Sequence, residues 1–152
     1  MKLIDAAKRT IELFGNDVRD ENLNRNTLEI IGHDLILSKQ DIFDLQTGHP
    51  LNPKYKWELD DIQSWHDLHF PQLSTRDHRR HVVYFNNLDF DNRYQCISLF
   101  QVIDNTMLIY QRSSDIEKLQ DDFRFFAEIC KRWFYNVDNI RIFYGSFHTK
   151  TI

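Results

Sequence analysis

The chain has 152 residues, 41% of them hydrophobic and 28% charged, with 12 Phe but only 4 Gly and 3 Pro. That length fits a single domain over residues 1–152, the aromatic content supplies a core and excludes intrinsic disorder, and no apolar run approaches the roughly 18 to 20 residues that cross a bilayer. A net charge of −4 and a pI near 5.9 exclude a broad nucleic-acid surface, which needs a large excess of Lys and Arg, yet leave room for a small anion held by a few local cations.

Two cysteines, Cys96 and Cys130, and an N-terminus with charges where a secretory leader has its apolar stretch predict free thiols in a reducing, cytoplasmic setting. In chain order, Lys2 to Phe14 places Leu3, Ile4, Ala7, Ile11 and Phe14 on one helical stripe, and Gly15-Asn16 stops it. A polar stretch, Asp17 to Asn26, precedes the β-branched run Thr27 to Leu37, whose central Gly predicts two short strands or one bulged strand. Ser38 to Tyr55 has no period and holds Pro50 and Pro53, so a loop is expected, with a short strand at Ile42 to Leu45.

Helical spacing resumes from Glu58 to His69 through Leu59, Ile62, Trp65 or His66, and His69, with Pro71 closing the element. His81 to Phe85, Tyr94 to Ile103 and Thr106 to Gln111 have strand character, and Asp104-Asn105 suits a tight hairpin turn because both residue types tolerate positive φ. Ile116, Leu119, Phe123, Phe126, Cys130 and Trp133 step by three or four residues and define a long buried helix. At about 1.5 to 3 kcal/mol per large side chain, its burial contributes on the order of ten kcal/mol before chain entropy. Asn139 to Tyr144 is a last strand ended by Gly145, and the mixture predicts an α+β fold.

Polar residues concentrate at three element ends: Arg76-Asp-His-Arg-Arg-His81, Gln111-Arg-Ser-Ser-Asp115 and Gly145-Ser-Phe-His148. Guanidinium groups, a Ser hydroxyl and helix N-terminal amides suit a phosphate monoester. Taken alone, Gln111 to Asp115 is a helix N-terminus capped by Ser113 or Ser114. His66 with His69, and His78 with His81, lie close in sequence, but no carboxylate or Cys pair completes a ligand set, so no metal is expected.

In order, these segments resemble the thymidylate synthase and deoxycytidylate hydroxymethylase family from about residue 19 to the C-terminus. Thr27-Leu-Glu-Ile-Ile-Gly-His33 is similar to the family's T-L-x-I-x-G strand, and Tyr55-Lys-Trp57 loosely to its Y-G-x-x-W segment. Asp60 to Leu68 followed by Thr75 to Val83 is similar to its D-Q-I helix, S-R-R and strand; Cys96 with Gln101 is similar to its P-C-H-x-x-x-Q-F strand. Tyr110-Gln-Arg-Ser-Ser-Asp115 is nearly a literal Y-Q-R-S-x-D, and Gly145-Ser-Phe-His148 matches G-D-x-H. The resemblance implies a mixed sheet with one long buried helix. It also implies that Arg112 and Ser113 hold a nucleotide phosphate, that the Asp115 backbone lies near sugar and base, and that His148 reaches the ribose. Arg79 and Arg80 would enter from the second subunit of a homodimer, and Arg19 or Arg25 would add a contact. Phe123 stands at the base-reading position, and a one-residue shift would bring Asp122 there, where a carboxylate favours cytosine.

The chain departs from the family where carbon transfer is concerned. Cys96, the one candidate nucleophile, lacks the flanking Pro and following His, and lies about four residues too near Arg112. No E-x-x-W-F helix is found, and Lys150 stands where the family has Tyr. Two readings stay open: a binder of a pyrimidine nucleoside monophosphate (dUMP, dCMP or dTMP) with no cofactor, or an active transferase using Cys96 and methylenetetrahydrofolate.

Overall fold

The computed structural model describes residues 2–21, 25–69, 82–85 and 97–150. Helix α1 (Lys2–Phe14) buries Ala7 and Ile11 and closes where the Gly15 amide donates to the Ile11 carbonyl at 2.8 Å. Phe14, expected on the buried stripe, is 71% exposed, because the helix ends at that residue. In the polar stretch that follows, Asn16–Asp20 forms an edge strand, β1, paired antiparallel with β2 (Arg25–Leu37). Its polarity suits an edge, which native sheets protect with charge.

The expected loop and short strand at Ile42 to Leu45 are instead helix α2 (Lys39–Gly48). A capping box starts it: Ser38 Oγ accepts from the Asp41 amide at 3.1 Å, and Asp41 Oδ2 accepts from the Ser38 amide at 2.9 Å. Ile42 and Leu45 then bury one side three residues apart. A 3-10 turn at Pro53–Tyr55 leads into α3 (Lys56–His69), which begins two residues before the expected helix. Strands β3 (Val82–Tyr84), β4 (Ile97–Ile103) and β5 (Thr106–Asp115) follow, the β4–β5 hairpin turning at Asp104 with φ 52. After a 3-10 turn at Ile116–Lys118 come α4 (Leu119–Trp133) and β6 (Asn139–Lys150). Both β5 and β6 run past their expected ends.

The fold is α+β, with a mixed six-stranded sheet in the order β1-β2-β6-β5-β4-β3. Strands β5 and β6 are parallel and the other neighbours antiparallel, so α4 is the crossover that a parallel pair requires. The sheet's inner face packs under the helices, and all six apolar positions expected on the long helical stripe are buried. Helix α2 and the loop after it are tied to α4 by Gln46 Nε2 donating to the Ala127 carbonyl at 2.9 Å and Arg124 Nε donating to the His49 carbonyl at 2.7 Å. The outer face carries Ile36, Tyr84, Tyr110 and Phe143 in the open, the Tyr110 and Phe143 rings stacked at 5.4 Å. Among the described residues no helix is long and apolar enough to cross a membrane.

One irregularity shapes the site. In β5 the buried positions are Met107, Ile109 and Gln111, then Ser114; in β6 they are Ile140, Ile142 and Tyr144, then Phe147. In β2, Leu35 and Leu37 face the core on one side of Gly32, and Leu28 and Ile30 on the other. Alternation with a period of two can change phase only by absorbing a residue. The pairing skips Gly32, Arg112 and Gly145, which stand beside one another across the three strands. In β4 the register shifts at the next position, between Ile97 and Leu99. Gly32 takes φ +71, and a Cβ on Gly145 would meet the Arg112 carbonyl oxygen at 2.7 Å, so both bulges call for glycine.

Candidate functional site

The phase change divides the Tyr110–Asp115 segment between two faces. Gln111 and Ser114 point inward, whereas Ser113 and Asp115 lie on the outer face beside Ser146 and His148 of β6, their direct partners in register. The Ser113 and Ser114 hydroxyls therefore do not cap a helix. The strand continues through both, and Asp115 caps the following turn by accepting from the Glu117 amide at 3.1 Å.

Strand β2 completes the outer cluster. Glu29 pairs in register with His148, and Ser146 Oγ donates to Glu29 Oε2 at 2.5 Å and lies 3.3 Å from His148 Nδ1. Arg25 Nη2 stands 3.8 Å from Asp115 Oδ2, both side chains less than a third exposed. Arg25 Nε has no hydrogen-bond partner among the described residues, so the guanidinium keeps donor capacity. Arg112 sits in the bulge itself, exposed and without an ion pair among the described residues. Of the sequence-expected residues, Arg112, Ser113, Asp115 and His148 thus gather at the kinked end of β5 and β6, and Arg25 joins them. Arg19 instead lies 3.8 Å from Glu21 on the edge strand. Cys96, Arg79 and Arg80 fall outside the described residues.

Asp122 is not part of that cluster. It lies on α4 beneath the sheet, 7% exposed, where Tyr55 donates to its Oδ1 and Gln111 Nε2 and Ser114 Oγ donate to its Oδ2 at 3.1 and 3.3 Å. Burial pushes its carboxyl above the ordinary range against the pull of these donors, and burial beside Asp122 pushes the Tyr55 and Tyr144 phenols up. The base-reading expectation placed Asp122 by counting from Asp115, without the inward turn of Gln111 and Ser114 that engages its oxygens.

No protein-family model matches the chain, and no curated protein matches it significantly. Glu29 and Ser146 join the site although neither is among the residues expected from the sequence, despite lying in the Thr27–His33 and Gly145–His148 segments. For Ser146 the signal is parity, since it stands two residues before His148 on one face of the strand; Glu29 carries no such signal. Among the described residues no three His, Cys, Asp or Glu side chains gather as a metal site.

Proposed function

We propose that the chain is a thymidylate synthase-like homodimer that binds a pyrimidine deoxynucleoside monophosphate and does not transfer a one-carbon unit. The observation that carries this reading is the in-register meeting of Ser113 and Asp115 with Ser146 and His148, two segments distant in sequence, beside an exposed Arg112. In this reading Arg112 and Ser113 grip the phosphate, while His148, held through Ser146 by Glu29, faces the ribose. Arg79 and Arg80 of a second copy join Arg112 to set three guanidinium groups on the phosphate, with Arg25 beside them, enough to offset a dianion in an acidic protein. The second copy seats on the outer sheet face, where Ile36, Tyr84, Tyr110 and Phe143 leave apolar surface that monomers seldom expose contiguously. The departures around Cys96 and the missing glutamate helix support binding without chemistry.

Titration calorimetry with dUMP, dCMP and dTMP tests the reading. At least one should bind, and Arg112→Ala should weaken it by about 2 kcal/mol, the scale of a lost charge-assisted bidentate contact. Arg112 is exposed, so the variant keeps its fold. Absence of binding by all three nucleotides overturns the proposal, and tritium release from 5-labelled dUMP or dCMP overturns its non-catalytic part.

A further inference from the structure

Away from the sheet's outer face, a groove of about 270 Å³ opens in the helix layer between α2 and the end of α4. Ile42, Cys130 and Val137 line it as buried apolar residues, while Phe43 and Tyr135 flank it 58% and 80% exposed. Lys39 and Lys131 are its charged lining residues, and among the described residues no carboxylate lines it, in a protein that carries net negative charge. Asp138 interacts electrostatically with Lys39, but its carboxylate is hydrogen-bonded to Asn105 and Asn139 outside the lining. Gln46, which also lines the groove, has its amide committed to the Ala127 carbonyl.

We infer that this groove is a docking site for an acidic peptide segment of a partner protein, which inserts one bulky apolar side chain between Phe43 and Tyr135 and sets carboxylates against Lys39 and Lys131. The volume falls below the roughly 300 to 1,000 Å³ of pockets that enclose small molecules, and suits a single anchoring side chain. Exposed aromatics around a partly apolar, buried lining are the composition of an interface anchor pocket. The two ammonium groups give the partner its sign, since like charges would be repelled. The thiol of Cys130, pushed up to about 12 by burial, stays neutral and adds to the apolar lining.

The test uses the full chain and a fluorescein-labelled nonapeptide with one central Phe flanked on each side by Asp and Glu, followed by fluorescence anisotropy. Saturable binding is expected. It should weaken at least tenfold with Tyr135→Ser, with Lys131→Glu, and with Ala replacing the peptide's Phe, and it should weaken as salt is raised. Tyr135 and Lys131 are exposed, so both variants fold. Absence of saturation, equal binding of the Ala peptide, or indifference to both variants overturns the inference. Phenylacetate bound with the same variant sensitivity while the peptide fails to bind would overturn it in favour of a small-molecule site. Arg112→Ala lies on the sheet and leaves this binding unchanged, so failure here and failure of nucleotide binding are separate results.

Discussion

Asp121 and Asp122 are neighbours on α4 with opposite surroundings. Burial alone would raise Asp121, but hydrogen bonds from His49 at 3.1 Å and Asn52 at 3.1 Å, with Lys54 nearby, hold its carboxyl below the ordinary 3.8. A carboxyl depressed in the folded chain adds stability that is fully present above its unfolded value and is lost as pH falls through the folded one. Urea unfolding of the wild type should therefore lose stability as pH drops from about 5 towards 3, and Asp121→Asn should lose less over that window. An equal loss in both chains would show that the His49–Asn52 clasp contributes nothing. None of this was visible in the sequence, because the clasp joins residues about seventy positions apart. Asp122 was visible as a residue of interest, but its three donors come from a turn and from strand positions on either side of a bulge, which no count along the chain predicts.

At the scale of elements, the row of bulges sets the geometry. A methyl on Gly145 would strike the Arg112 carbonyl at 2.7 Å and the Tyr110 hydroxyl at 3.3 Å, and the first of these is backbone that cannot swing away. Gly145→Ala should destabilise the fold by about 2 kcal/mol in urea unfolding, the usual scale of overpacking. Gly48→Ala is the control: nothing lies within 4 Å of its added Cβ, and at the end of α2 it should be neutral or stabilising. Equal effects at both glycines would refute this account of the bulge. At Gly32 the sequence leaves two short strands or one bulged strand open, and the unbroken strand Arg25–Leu37 selects the second. Gly145 gave no sign of a bulge, because a Gly after an apolar run also ends a strand, and only pairing with Arg112 shows that β6 continues. Helix α2 was hidden for a related reason. Its burial rests on Ile42 and Leu45, with Phe43 between them turned outward, too few apolar positions for a period to emerge.

For the whole molecule, the α+β class and the buried α4 were legible because six apolar positions repeat at helical spacing over eighteen residues. The sheet order was not, since strand composition carries no partner identity and the parallel β5–β6 pair is made through the α4 crossover. The uncovered sheet face gives the molecular-scale prediction. Sedimentation equilibrium should find twice the 18.4 kDa chain mass, and Phe143→Glu, which sets a charge amid that face, should return the monomer and abolish nucleotide affinity with it. A wild-type monomer at micromolar concentration would remove the second subunit from the proposed site.

The coincident bulges also bear on how such a chain can change length. Each strand spends one surplus residue at the same level, so a deletion at Gly32, Arg112 or Gly145 alone would put that strand's ladder out of step with its neighbours and turn core side chains to solvent. Shortening all three together would bring their core-facing rows back into step. Insertions and deletions in these strands should thus be tolerated only as a concerted set.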